Sequence, residues 1–204
     1  LQEERIECVV IAFLNSYANP ANEQKAADIL RSRWPGYTVV SSEVVSEYRE
    51  FERISTAVTN AYVLPKVESY LKSLSSKLTE KKFEGDICIV HSGGGIISLD
   101  TARRFPVRTV VSGPSAGAAF AAHSGRATKR KNVISCDMGG TSFDACLIKD
   151  GNFKLVGYKE LGYGLPLLVP QIDMATIGAG GGSIAWIDGR GLLQVGPQSA
   201  GASP

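Results

Sequence analysis

Two aspartates flank a run of small residues in the stretch "CDMGGTSFD". Asp137 ends one apolar run and Asp144 opens the next. The loop between them contains Gly139, Gly140, Thr141 and Ser142. Paired glycines allow a positive φ, so backbone N–H groups can face a concave site, and the hydroxyls add donors. A carboxylate at the end of a buried strand needs a partner, which a metal ion or a metal-bound water would supply.

The residues of this loop leave two interpretations open. In the first, the loop is a hairpin turn whose aspartates bond to nearby backbone. In the second, the loop holds a phosphate and Asp137 lies close to a Mg²⁺ ion, with Asp144 as a second carboxylate at the same site.

A second glycine-rich stretch, "IGAGGGS", offers further backbone donors. It contains Gly178, Gly180, Gly181, Gly182 and Ser183. It fails the G-x-G-x-x-G dinucleotide pattern, because Ser183 stands where the third glycine belongs. Its N–H groups suit an anion, but a plain flexible turn fits the spacing equally well.

The stretch "GPSAG", residues 113 to 117, matches the G-x-S-x-G pattern of a nucleophile elbow with Ser115 as the nucleophile. The base histidine of such a site follows well after the serine. Here only His123 follows, eight residues on and within the same helical segment. A serine hydrolase is therefore the weaker alternative, and Gly113 and Gly117 are expected to let a helix pack closely on a neighbour.

Strands and helices alternate in the first half of the chain, and hairpins dominate the second. The pattern predicts strands at 7–16, 37–45, 86–95, 107–112, 132–140, 142–151 and 152–161, and helices at 21–34, 51–78, 101–105 and 113–125. A further hairpin is expected after the glycine-rich turn. We therefore predict an α/β fold with a partly parallel sheet in its first half.

Composition limits the class of protein. The 204 residues are 44% hydrophobic and 21% charged with a net charge of +2, which is globular and does not favour a nucleic-acid partner. The sequence shows neither a signal peptide nor an apolar run of membrane length, so we expect a cytoplasmic protein with no membrane association. The four cysteines form no C-x-x-C pair, so no structural zinc site is expected. The chain starts without Met and ends in a Gly/Pro-rich stretch, which suggests a piece of a longer protein.

Several stretches, in order, resemble the hydantoinase A/oxoprolinase family. "DMGGTSFD" looks like the family's D-x-G-G-T-S-x-D phosphate loop. The others are "YREFERISTAVTNAYVLP", "VVSGPSAGAAFAA", "IDMATIGAGGGSIAWID" and "LLQVGPQSAGASP". Together they cover nearly the whole chain, and the set is far more specific than any one motif. The family includes N-methylhydantoinase A, 5-oxoprolinase and acetone carboxylase-type subunits.

The resemblance implies a fold related to actin, Hsp70 and hexokinase, with two ribonuclease-H-like lobes and a nucleotide between them. Residues 1–124 would form the end of the first lobe and a connecting helix that carries Gly113, Pro114 and Gly117. Residues 125–204 would begin the second lobe, with 139–142 as the second phosphate loop. A first phosphate loop of D-T-G-G-T type would precede this central fragment, which is therefore expected to be inactive alone.

The resemblance also implies chemistry. Family members use ATP to activate hydantoins, 5-oxoproline or, in carboxylases, ketones. Asp137 and Asp144 become the catalytic candidates, with Asp137 near Mg²⁺. Residues 139–142, with lower weight 178 and 180–183, become the nucleotide-binding candidates. A small-molecule substrate and a second large subunit of the hydantoinase B type are the expected partners. The alternative class is a non-catalytic actin-like nucleotide-binding or assembly module.

Overall fold

The computed structural model describes residues 3–160 and 164–201. Its helices are α1 (Ala21–Arg33), α2 (Ser41–Val44), α3 (Glu50–Glu80), α4 (Leu99–Arg104), a 3₁₀ helix (Pro106–Thr109) and α5 (Ser112–Ala127). Its strands are β1 (Cys8–Ile11), β2 (Tyr37–Val40), β3 (Cys88–Val90), β4 (Ile96–Ser98), β5 (Val133–Met138), β6 (Phe143–Lys149), β7 (Asn152–Phe153), β8 (Leu155–Val156), β9 (Lys159–Glu160), β10 (Pro166–Leu167), β11 (Gln171–Ile172), β12 (Met174–Ile177), β13 (Ser183–Ile187) and β14 (Leu193–Ser199). This mixture of helices and strands confirms the predicted α/β class.

The chain divides into two compact units. The first unit comprises Leu1–Ser112 and Val156–Gln171, and the second comprises Gly113–Leu155 and Ile172–Pro204. Among the described residues, no helix is both long enough and apolar enough to cross a bilayer.

In the first unit, β1 and β2 pair in parallel, as the strand–helix alternation predicts. The third and fourth strands form an antiparallel pair. The core lies between α3, β2 and the segment 167–169. Its buried residues are Val39, Val44, Val45, Ala57, Ala61, Leu64, Val107, Leu167, Leu168 and Val169. One bond links distant parts of this core, because the Leu168 amide donates to Thr56 Oγ1 at 2.9 Å.

The long helix α3 runs without a break through Pro65. It also carries a buried polar centre of the first unit. Arg53 donates to the Phe13 carbonyl at 2.7 Å and forms a short ion pair with Glu50. Glu23 of α1 is fully buried and accepts from the Phe13 amide at 2.7 Å and from the Ser41 hydroxyl at 2.7 Å. These contacts fix the chain that leaves β1.

Two predicted strands are wrong in the first unit. The strand expected at 37–45 ends at Val40, because the next residues turn into α2 and both Ser41 and Ser42 bond to Glu23. The strand expected at 107–112 is replaced by the 3₁₀ helix and the start of α5. The Val107 amide donates to Asn60 Oδ1 at 3.1 Å, so the Asn60 side chain accepts the hydrogen bond that a neighbouring strand would otherwise accept.

In the second unit, β5, β6 and β12 form an antiparallel sheet, with β7 beside one end of β6. The predicted hairpin of β5 and β6 is confirmed, and so is the hairpin of β13 and β14. The strand predicted at 152–161 is broken into β7, β8 and β9, and its last residue, Leu161, lies outside the described residues.

The sheet of the second unit has one buried and one open face. Cys146 and Ile148 alternate with Leu147 along β6, and both are 2% exposed, whereas Leu147 is 72% exposed. The open face also carries Ile134 and Met138 of β5, which are both more than half exposed. The expectation that β5 is a buried strand is therefore wrong. Side chains of a strand alternate between two faces, and one face of this sheet is exposed.

Candidate functional site

The loop 139–142 connects β5 and β6 of the second unit. Strand pairing places Asp137 directly opposite Asp144 at its base. The loop closes through the Gly139 amide, which donates to the Ser142 carbonyl at 2.9 Å. The structure thus brings both predicted carboxylates together beside the predicted phosphate loop.

The two carboxylates are not buried as the sequence suggested. Asp137 is exposed and Asp144 is half-buried. Thr176 of β12 donates its hydroxyl to Asp144 Oδ1 at 2.6 Å. Like charges directly opposite each other on a ladder destabilise a sheet, so this pair is suited to a cation that neutralises both.

The second glycine-rich stretch packs directly on the first. The Gly181 amide donates to the Gly139 carbonyl, and the Gly182 amide donates to the Gly140 carbonyl, both at 2.9 Å. At Gly180 a Cβ would lie 2.6 Å from the backbone of Thr141, so only glycine allows this approach. The glycines of 178–183 therefore support the loop 139–142.

The same bonds determine which donors remain for an anion. The Gly180 amide donates to Ser183 Oγ at 3.0 Å, so the amides of 180, 181 and 182 all have acceptors within the protein. In contrast, the amides of Gly140, Thr141 and Ser142 donate to no acceptor in the described part of the chain. Three backbone donors and two hydroxyls thus remain available in one loop.

Helix α5 lies beside the carboxylate pair. A cavity of about 250 Å³ separates the helix from the sheet. The residues that line it include Pro114, Gly117, Ala118, Asp137 and Asp144. A Cβ at Gly117 would lie 3.8 Å from Asp137 Oδ2, while Gly113 has open space around it. The small residues of the helix keep this space free.

Ser115 is not positioned as an exposed nucleophile. It lies inside α5, three residues after the helix begins at Ser112, and it is fully buried. A nucleophile elbow instead holds its serine on an exposed turn between strand and helix. The geometry therefore contradicts the serine-hydrolase alternative.

Sequence reasoning missed Thr176, which bonds to Asp144. Thr176 lies 32 residues away in the chain, and no local pattern distinguishes its hydroxyl from that of any other strand threonine. Among the described residues, no group of three or more His, Cys, Asp or Glu side chains is arranged to hold a metal.

Comparison with known proteins identifies the family. The family model for hydantoinase/oxoprolinase matches residues 53–204. The chain belongs to this family. The alpha subunit of caprolactamase from Pseudomonas jessenii is 37% identical to it over 100% of this chain and 29% of that subunit. The 5-oxoprolinase of Saccharomyces cerevisiae is 34% identical over 98% of this chain and 15% of the enzyme.

Solved structures of family members have the same fold as this chain. The ATP-dependent caprolactamase of P. jessenii matches with a TM-score of 0.81 and 34% identity, over 100% of this chain and 29% of that one. Acetone carboxylase, solved without nucleotide in work on ATP-dependent acetone carboxylation, also gives 0.81, with 30% identity over 98% of this chain and 28% of that one. The chain thus spans less than a third of the length of these relatives.

Proposed function

We propose that this chain is the phosphate-binding part of an ATP-dependent enzyme that hydrolyses a cyclic amide of the hydantoin or 5-oxoproline class. One observation carries the proposal. The amides of Gly140, Thr141 and Ser142 have no acceptor among the described residues, and they lie beside Asp137 and Asp144. Relatives with this architecture are described as ATP-dependent, and one of them is a caprolactamase.

In the proposed reaction, the loop 139–142 holds phosphate oxygens of ATP. Backbone amides fixed by a hairpin stabilise charge on a transferring phosphoryl group without having to reorient. The contacts from Gly181 and Gly182 hold the loop in place for this role. Transfer of the γ-phosphoryl group to the amide oxygen would release ADP. Attack of water on the carbonyl carbon would then expel the ring nitrogen as an amine, and hydrolysis of the resulting acyl phosphate would give the open acid and phosphate.

The carboxylate pair fits a Mg²⁺ ion. This cation prefers one or two carboxylates together with phosphate oxygens, and Asp137 and Asp144 supply such a pair. In our proposal Asp137 holds the ion directly or through water, and Thr176 orients Asp144. When bound, Mg²⁺ would neutralise charge on the phosphates.

We further propose that the complete protein has two actin-like lobes and a first phosphate loop of its own, and that it acts in the cytoplasm. The caprolactamase relative is named as a subunit, so a second large subunit of the hydantoinase B type is the partner we propose. The glycine-rich stretch 178–183 would support the phosphate loop. Gly113, Pro114 and Gly117 of α5 would lie beside the site.

A substrate panel tests the activity. Full-length protein, together with its partner subunit, is incubated with hydantoin, 5-oxoproline, caprolactam or acetone, with and without ATP. We expect ADP release that depends on a cyclic amide. Nucleotide binding without turnover of any compound would favour the non-catalytic module instead.

Substitution of Gly140 tests the phosphate loop. A Cβ at Gly140 meets no atom within 4 Å, so Gly140→Val should fold normally. A side chain there would displace the phosphates, and we expect ATP turnover to fall by about a hundredfold. Gly189→Val is the matched control, because Gly189 also has open space and lies in the distant turn between β13 and β14. Equal turnover in the two variants would refute the assignment.

A further inference from the structure

The first unit contains a cavity of about 380 Å³ that the proposed phosphate site does not use. Its apolar wall is formed by Val44, Val45, Leu168 and Val169, all of which are buried. Its polar side includes His91 and Arg108. A cavity with an apolar wall and a few polar groups suits a small organic molecule.

Arg108 has no counter-ion among the described residues. It is half-buried and stacks over Phe105, with Cζ 4.8 Å from the ring centroid. Arg104 stacks on the same ring but pairs with Glu43 at 2.6 Å. Among the described residues, no carboxylate lies within ion-pair distance of Arg108, although the exposed Glu47 also lines the cavity. A half-buried guanidinium in this state is suited to bind a carboxylate from outside the chain.

His91 is held in a defined orientation by the triple-glycine loop. The Gly93 amide donates to Nδ1 at 3.0 Å, so the neutral ring carries its proton on Nε2. A Cβ at Gly93 would lie 2.7 Å from the ring Cε1, and one at Gly95 would lie 2.7 Å from Nε2. The loop therefore wraps closely around the imidazole. Nε2 faces Gly95 of the same loop.

The backbone also fixes His91 and Arg108 relative to each other. The Ser92 amide donates to the Arg108 carbonyl at 2.7 Å, and the Val111 amide donates to Ser92 Oγ at 3.2 Å. Asn60 of α3 binds the Val107 amide at 3.1 Å. These bonds hold together the backbone segments that carry His91 and Arg108, so the polar side of the cavity is preformed.

We propose that this cavity binds the organic substrate and selects a cyclic amide that carries a carboxylate. Arg108 would pair with the carboxylate, and His91 would form part of the polar wall beside it. The ring of the ligand would contact Val44 and Val45. A neutral cyclic amide lacks the group that Arg108 requires. The substrate identity rests on the proposed function, whereas the carboxylate site rests on the geometry of the cavity.

Binding measured by calorimetry without nucleotide tests the proposal on full-length protein. Two ligand pairs are matched in ring and carbonyl but differ in charge: 5-oxoproline with 2-pyrrolidinone, and hydantoin-5-acetate with 5-ethylhydantoin. We expect the acid of at least one pair to bind about tenfold more tightly or better than its neutral partner. Arg108→Gln should remove this preference and leave the neutral compound unchanged, which also shows that the cavity remains folded. Arg108→Lys should retain part of it.

Arg33→Gln is the matched control, because Arg33 is exposed on the last turn of α1 and lies outside the cavity. It should retain the full preference. Equal affinities within both pairs, or a preference that survives in Arg108→Gln, would overturn the proposal. The Gly140→Val variant should bind the acid normally, so a failure of ATP chemistry and a failure of this site give different results.

Discussion

At the scale of single residues, glycines of this chain serve two different purposes. Gly180 is required by close contact, because a Cβ there would lie 2.6 Å from the backbone of Thr141. Gly140 has free space around it, so the fold itself does not demand glycine there. A glycine without a steric reason beside open amides is what a ligand-binding loop needs.

Gly180→Ala tests the contact between the two loops. The added Cβ would lie 2.6 Å from the backbone of Thr141, which cannot move without distorting the hairpin turn. We expect a loss of about 1–3 kcal/mol in the free energy of unfolding, measured by denaturant titration. Gly181→Ala is the comparison, because its Cβ would lie 3.7 Å from the Gly139 carbonyl, an ordinary contact. Equal stabilities of the two variants would show that the loops are not packed as described.

The sequence predicted the loop 139–142 well, because two apolar runs flank a compact group of turn residues. It could not predict that Gly180 packs on Thr141, since the contact joins separate loops. It was wrong about the burial of Asp137, which lies near the end of β5 opposite Asp144, lines the cavity beside α5 and is exposed. It was also wrong about 107–112, whose β-like composition is overridden by the bond from Val107 to Asn60.

At the scale of elements, buried polar groups position the segments of the first unit. Glu23 of α1 binds the end of β1 through the Phe13 amide and the start of α2 through Ser41 and Ser42. Burial by itself raises the pKa of Glu23, but the hydrogen bonds from Ser42, Phe13 and Ser41 outweigh it, so the pKa lies below its usual value. The ionised form is therefore the one that stabilises the fold.

This pKa gives a pH prediction. Because the folded pKa lies below the unfolded one, the unfolded state binds more protons in acid, and the stabilisation is present above the ordinary glutamate pKa of about 4.3. It is lost as the pH falls through the folded pKa. Glu23→Gln should cost about 2–3 kcal/mol at neutral pH and should flatten the acid limb of stability against pH. Denaturant titrations between pH 7 and acid would measure both. An unchanged acid limb would contradict the role of Glu23.

The faces of β6 give a second prediction at this scale. Leu147 is 72% exposed and Ile148 is 2% exposed, although they are neighbours. Leu147→Lys should change the free energy of unfolding by less than about 0.5 kcal/mol, whereas Ile148→Lys buries a charge and should prevent stable folding. Thermal melts of the two variants of this 204-residue chain would test the register. A shift of one residue in β6 would reverse the two results.

At the scale of the whole molecule, the chain spans 29% of the caprolactamase alpha subunit. The proposed phosphate site uses residues of the second unit alone, and in our proposal a first phosphate loop elsewhere in the complete protein would face it. We expect the 204-residue segment to bind ADP at least about tenfold more weakly than the full-length protein. Calorimetry on both proteins measures the difference. Equally tight binding by the segment would show that its own loops form the complete site.

The bond from the Leu168 amide to Thr56 has a consequence for synthesis on the ribosome. Domains tend to fold as they emerge, with the N-terminal parts first. The core of the first unit includes Leu167, Leu168 and Val169. The apolar side of α3 therefore stays partly uncovered while the ribosome synthesises β5 and β6. During that interval the nascent chain exposes the surface that chaperones bind, and a stall before residue 167 would leave it open to aggregation.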